Sequence, residues 1–399
     1  MKTQIATGTS SVEDAREAGA GAATEAANRL DADRVDFCHV FCSPDYDYER
    51  TLDGIRSVIG TDASLLGASS SGEFTETAVT EGGVALALVT SDTLQFFTGF
   101  GTGLEENIPM AVSEAVADLP DGVEGYPYLS AITLHDGLAG VGEQLALVTQ
   151  RKLGPKVSFV GGAASDGYRM EATHVFCDDR IAEDAVGIAL IASQERPVVT
   201  IDHGHEPISD PMVVTATEDN VVYELDGRAA YEAWADAVRD PVDDLFGVDI
   251  DDFDEVTPQH HRIMGEFEFG IDQGDDYKIR WPQVADIDGG SIEFAVDIPE
   301  GTTFRVMYGS PDAQVDSARS AAREAVDIAD GRAMAGGFVY DCACREIILG
   351  DRFGEAVDAM ADVLDMPFVG FETYGEMCMQ VGEMSGFHNT TSVVLLLPE

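Results

Sequence analysis

The sequence predicts a mixed α/β protein of two domains, in which strand–helix–strand units recur and pack as layered sheets. Three observations predict it. Short apolar runs alternate with stretches of helical period. A unit of strand, polar exit, helix, strand, Gly-x4-Gly loop and strand occurs three times, and internal recurrence says more about architecture than any single motif. The chain has 399 residues, 45% of them hydrophobic, which is enough for more than one buried core.

The first copy opens with an apolar strand at 37–43, broken by Pro44. A helix follows at 49–60, with Leu52, Ile55, Val58 and Ile59 on one face and Gly60 as its terminator. Residues 64–67 form the next strand, 67–73 the glycine–serine loop, and 83–89 and 94–100 two further strands. The second copy has a strand at 129–134, a break at 135–137, a helical face of Val141, Leu145 and Val148, a strand at 157–161, the loop 162–167 and a strand at 186–192. In the third copy a strand at 337–340 exits through 341–345. Val357, Met360, Val363 and Leu364 share a helical face, 366–370 is a strand, a loop runs to Glu376, and 390–397 closes as a strand. The stretch between differs. A hairpin turns at 218–220, Ala230, Trp234 and Val238 line a helix, and 240–255 is an acidic connector. Strands are expected at 277–281, 291–298 and 303–308, and Ser310-Pro311 opens a helix that runs to about 330. The domain division expected is 1–212 and 213–399, with the third unit and the intervening strands in the second domain.

Charge excludes several partner classes. Asp and Glu number 74 against 23 Lys and Arg, a net charge of −51 spread along the whole chain. Aromatic and β-branched residues are too abundant for an acidic disordered protein. No basic patch exists to displace counterions, so nucleic acid is excluded. In molar salt the Debye length falls to about 3 Å and a dense carboxylate surface stays hydrated, so a salt-accumulating cytoplasm is expected. The N-terminus lacks the apolar core of a signal peptide, and no run reaches the ~18 apolar residues of a spanning helix. Six cysteines without C-x-x-C spacing argue against a disulfide scaffold or a four-cysteine zinc site.

Chemistry concentrates at the strand exits. Glycine allows positive φ and close approach, so the loops 67–73 and 370–376 can turn backbone N–H groups on an anion. Ser69 and Ser70 add hydroxyls, and Glu73 and Glu376 can accept from an ammonium. Together they suit a zwitterion; the competing reading is a tight turn and nothing more. Arg345, just past a strand, has the geometry of a carboxylate clamp. Cys342 beside it is either an activated thiol or a small buried residue. The histidines at 203 and 205, 260 and 261, and 388 lack a third ligand at recognisable spacing, and no Gly-x-Ser-x-Gly, P-loop or Rossmann fingerprint is present.

These residues resemble the FIST-domain proteins over nearly the whole chain. The C-terminal set is Cys342 and Arg345, Leu349-Gly350, Pro367-Phe368-Val369-Gly370-Phe371, Thr373-Tyr374-Gly375-Glu376 and His388-Asn389-Thr390. Residues 41–46 with 67–73 resemble the N-terminal half, and 225–227, Arg280 and 298–301 the stretch between. Cys344 replaces the glycine often found before the family's arginine. Its net charge makes the chain an acidic variant of haloarchaeal type. The resemblance implies an intracellular sensory module for small ligands such as amino acids or carboxylates, held by Arg345, Glu376, Cys342, Tyr374, Gly375, Glu73, Ser69, Ser70, Arg280 and Asn389. It implies no catalysis and no obligatory cofactor. Haem, as in nitric oxide sensors, and a Cys342-dependent enzyme are the alternatives. The sequence ends at Glu399 without an output domain, so a separate signalling partner is expected.

Overall fold

Three segments of the chain follow one plan in the computed structural model, which describes residues 2–80, 82–274, 276–380 and 386–399. The plan is outer strand, helix, central strand, helix, inner strand, hairpin, return strand. In the first unit these are Gln4–Ser10, Ala15–Ala27, Phe37–Cys42, Tyr48–Ile59, Ser64–Ser69, the pair Glu73–Thr75 and Ala78–Thr80, and Val84–Thr90. In the second they are Leu94–Thr102, Leu104–Ala115, Tyr128–His135, Gly142–Leu153, Ser158–Ala163, the pair Val175–Cys177 and Arg180–Ala182, and Ala185–Ser193. The third has Val198–Asp202, Pro311–Ala329, Met334–Cys342, two helices Ala343–Leu349 and Phe353–Leu364, Phe368–Thr373, the pair Glu376–Met379 and Phe387–His388, and Ser392–Pro398.

Each unit pairs its central and inner strands in parallel across a helical crossover. The return strand lies antiparallel to the central one, and the outer strand antiparallel to the return. The hairpins do not stay at home. Glu73–Thr75 of the first unit pairs with the inner strand of the third. Glu376–Met379 of the third pairs with the inner strand of the second, and Val175–Cys177 of the second with that of the first. The exchange is cyclic, so three six-stranded sheets of identical order result and no unit completes its sheet alone. Strands such as Phe37–Cys42, Val84–Thr90 and Ser392–Pro398 are buried at every residue. That is why they read as continuous apolar runs and not as alternation.

Between the outer strand and first helix of the third unit the chain leaves to build an antiparallel sheet within residues 206–308. The helices Ala230–Phe246 and Pro258–Glu266 belong to this insertion. Its aromatic core holds Phe267, Phe269, Phe294, Phe304 and Trp234, and it is continuous with second-unit residues Leu145, Phe159 and Val186. Trp234 Nε1 donates to the Phe267 carbonyl at 2.8 Å. The chain returns at Ser310, whose Oγ accepts from Ala313 N at 3.1 Å as the helix cap, with Pro311 in the first turn. The hairpin turns at Asp219, φ 53°, within the expected 218–220.

Three expectations need correction. The acidic stretch 240–255 is not a connector: the helix runs through Pro241 to Phe246 because Val242 is buried on the insertion's core, and a short 3-10 turn follows at Ile250–Asp252. The strand expected at 291–298 ends at Phe294. The loop at 162–167 is no counterpart of the other two. Its unit has residues 164–174 between inner strand and hairpin, where the first has 70–72 and the third 374–375.

Candidate functional site

Parallel β–α–β units point the C-terminal ends of their central strands to one side, where ligands bind in folds of this kind. Here Cys42, His135 and Cys342 are those ends, each opposite the last residue of its inner strand. The loops that follow meet. Ser71 N donates to Ser165 Oγ at 2.7 Å, and that hydroxyl donates to the Glu372 carbonyl at 2.5 Å. Tyr374 OH donates to Asp166 Oδ1 at 2.6 Å and accepts from Tyr168 N at 2.7 Å.

Several of the sequence-selected side chains are enclosed by the chain itself. Glu73 is fully buried; Ser70 Oγ, Thr80 Oγ1 and Gly83 N donate to its carboxylate, the last two at 3.2 and 3.1 Å. Burial pushes its carboxyl up to about 8. Ser69 Oγ accepts from His174 N at 2.9 Å. Glu376, also fully buried, accepts from Thr391 N at 3.1 Å and Thr391 Oγ1 at 2.8 Å. Arg345 is fully buried. Its Nε donates to Asp341 Oδ1 at 2.8 Å, its Nη1 to Gln314 Oε1 and Ser317 Oγ at 2.6 and 2.9 Å, and its Nη2 to the Gln314 carbonyl at 2.8 Å. The guanidinium thus ties the helix Pro311–Ala329 to the strand Met334–Cys342. The Cys342 thiol is buried and pushed up, first by burial and then by Cys344.

Other selected residues reach a cavity of about 420 Å³ between the insertion and the second and third units. Tyr374 and Asn389 line it, and Asn389 Oδ1 accepts from Trp281 N at 3.5 Å. Gly375 holds its wall. A side chain there would put Cβ 2.2 Å from the Phe387 ring, at a φ of 152° that L residues rarely adopt, and one at Gly142 would lie 2.4 Å from the same ring. Arg280 faces a neighbouring cavity of about 300 Å³ with Lys278. Both cations donate to Glu143 Oε2, at 3.0 and 3.2 Å.

The sequence reading missed most of the larger cavity's walls: His135, Tyr168, Trp281, His261, Gln283 and Asn220. His135 had a visible signal, since it ends a strand where a polar exit was recognised. The residues from the insertion had none, because only the tertiary fold lays that sheet over the strand ends. Among the described lining residues there is no Asp, Glu, Lys or Arg. His135 is 2% exposed, and its Nδ1 has no hydrogen-bond partner. Burial lowers its imidazole to about 4, against the opposing pull of Asp136 and the Gly162 carbonyl. Trp281 stands edge-on to His261 at 5.6 Å, and Phe387 edge-on to His135 at 6.0 Å. No cluster of three or more His, Cys, Asp or Glu poised for a metal occurs among the described residues. Nor is any of the helices there long and apolar enough to cross a membrane.

Comparison with known proteins places the two halves separately. Residues 36–228 match the FIST N domain and residues 230–379 the FIST C domain. An uncharacterized protein of Mycobacterium bovis is 27% identical over 253 residues, which cover 61% of this chain and 62% of that protein. One from Mycobacterium tuberculosis gives the same figures. An uncharacterized protein of Methanocaldococcus jannaschii is 20% identical over 258 residues, 59% of this chain and 48% of that one. The matched region thus spans about three fifths of the mycobacterial relatives and half of the archaeal one.

Proposed function

Because the chain belongs to the FIST family, whose domains are sensory and associated with signal transduction, we propose that it is a small-molecule sensor. Its ligand sits in the cavity between the insertion and the three-unit core. The observation that carries this reading is the cavity itself. It holds about 420 Å³ at the C-terminal ends of parallel strands, with mostly apolar walls and a few converging polar groups, the ordinary anatomy of a ligand site. Its walls come from both bodies: Trp281, Gln283 and Asn220 from the insertion, His135, Tyr374 and Asn389 from the core. A ligand touching both favours one arrangement of the two over others, and a partner protein reads the shifted population.

An amino acid or small carboxylate is the ligand class the family resemblance suggests. A carboxylate needs a cation, and those nearest the cavity are engaged within the protein: Arg280 and Lys278 face the adjoining cavity and donate to Glu143, and Arg345 is held by Asp341 and Gln314. Two features favour binding over catalysis. The Cys342 thiol is raised by burial, the opposite of an activated nucleophile. His388 lies opposite Glu376 in the hairpin, and its Nε2 donates to the Cys378 carbonyl, 3.3 Å away, not to that thiol. For haem, His135 and His261 offer imidazoles, but the described lining residues supply no cation for two propionates, so they do not fit that group.

Calorimetric titration of the full chain in molar KCl against amino acids, small carboxylates and neutral heterocycles tests the proposal. Binding that quenches tryptophan fluorescence, and is lost in Trp281→Phe, is the expected result. A folded protein that binds none of them overturns it.

A further inference from the structure

Resting on that reading, we infer that the ligand of the larger cavity is an uncharged planar heterocycle that donates a hydrogen bond, and not a zwitterion or a carboxylate. Three observations carry the inference.

The first is charge. Asp, Glu, Lys and Arg make up 24% of the chain, yet none is found among the described residues that line this cavity. An ion moved from water into such walls loses its hydration without a counter-charge in return. The neutrality is local. Arg280 and Lys278 lie on the opposite face of the strand that leads to Trp281, since side chains alternate along it.

The second is shape. Trp281, Tyr374, Tyr168, Phe387, His135 and His261 give the cavity aromatic walls. Trp281 is 5% exposed and Phe387 4%, and the Phe387 ring lies against the backbone of Gly142 and Gly375. Aromatic walls favour a flat occupant that meets them by stacking or by its edges.

The third is a polar orphan. A neutral imidazole has one N–H and one lone pair. Burial keeps His135 neutral against the opposing pull of Asp136 and the Gly162 carbonyl, and we place its one N–H on Nε2. A lone pair is left at Nδ1, which has no partner in the protein although its residue is 98% buried and forms part of the cavity wall. Only a donor can satisfy it, so the ligand presents an N–H or O–H at its edge. Nδ1 is enclosed, with Phe387 packed edge-on against the ring. The two rings therefore part slightly as the ligand enters, and the contact forms only in the bound state. The amides of Asn389 and Gln283 stand by for the remaining polar edge.

The test uses the full chain and four probes: benzimidazole, which is flat, neutral and an N–H donor; 1-methylbenzimidazole, which lacks the donor; benzimidazole-2-carboxylate; and glutamate. Calorimetry gives affinity, and quenching that disappears in Trp281→Phe gives location. Benzimidazole is expected to bind at this site, 1-methylbenzimidazole about tenfold more weakly, and the two anions not at all. In His135→Phe the two neutral probes are expected to bind alike. Should that variant fail to fold, the wild-type comparison of the two neutral probes decides alone. Glutamate or the carboxylate binding here as well as benzimidazole overturns the ligand class and leaves the sensory site standing. No preference for the N–H donor overturns the role of His135. No saturable binding by any probe overturns both this inference and the proposed site.

Discussion

At the scale of single residues, the fold draws most of its polar motif residues inward and uses them against one another. Arg345 and Asp341 are both fully enclosed and 2.8 Å apart. A buried pair of this kind contributes little over an apolar pair, but losing one partner strands the other. Arg345→Ala is therefore expected to destabilise the protein by about 3–5 kcal/mol, seen in chemical denaturation with and without ligand. A variant of unchanged stability that loses ligand binding would instead return Arg345 to the role of clamp. Glu73 makes a pH prediction. Its folded value of about 8 stands above the ordinary 4.5 because of burial, so the folded state holds a proton that the unfolded state has released. Its contribution is complete below about pH 4.5 and is lost as pH rises through about 8, with a slope of at most about 1.4 kcal/mol per pH unit. Denaturation at a series of pH values should show this fall in stability, and Glu73→Gln should flatten it. An identical slope in the variant would place the lost proton elsewhere. The glycine motifs were legible in the sequence for what they do to the chain. That Glu73 and Glu376 receive donors from Thr80 and Thr391 was not, because Thr80 stands on another strand and Thr391 just before the closing one.

At the scale of elements, legibility followed side-chain size. Helices with large apolar residues at helical spacing, such as Tyr48–Ile59 and Phe353–Leu364, stand in the sequence where the structure has them. Ala15–Ala27 was missed. Its buried face is Ala15, Ala18, Gly19, Ala22, Ala23 and Ala26, which has helical spacing but little hydrophobic contrast. The small residues are there for close approach. A Cβ at Gly19 would lie 2.2 Å from the Thr51 carbonyl oxygen, and one at Gly54 would lie 2.1 Å from that of Arg16. The two helices touch backbone to backbone, with no flexible side chain to yield. Gly54→Ala must push them apart, at a cost of about 1–3 kcal/mol despite alanine's better helix propensity. A thermal melt showing the variant equal to or more stable than the wild type would mean the helices are not so close in solution. The exchanged hairpins were invisible for another reason: Glu73–Thr75 and Val175–Cys177 are each three residues, and nothing in so short a strand names its partner. The repeat was legible; the cyclic trade of strands that makes the units depend on one another was not.

For the whole molecule the governing quantity is a net charge of −51, and most of the carboxylates that carry it lie outside the core. Of the few cations, Arg345, Arg280 and Lys278 are buried, each beside an acidic partner at 2.8 to 3.2 Å. The interior pairs are therefore shielded from salt, whereas the exterior is a sheet of like charges. At an ionic strength of about 0.01 M the Debye length is about 30 Å, long enough for carboxylates across the molecule to repel one another; at 1 M it is about 3 Å. Unfolding spreads the charges apart, so low salt favours the unfolded chain. We predict that the melting temperature rises with KCl, steeply below about 0.1 M where screening changes most, and that other monovalent chlorides act alike in that range. A neutral excluded solute such as sucrose strengthens burial without screening and should not reproduce the steep early rise. Were sucrose to match KCl, or the melting temperature to ignore salt, charge repulsion would not be what limits this fold. The same measurement bears on the cavity. Its walls carry no ions among the described residues, so affinity for a neutral ring, unlike stability, should hold nearly constant once the salt suffices to keep the chain folded.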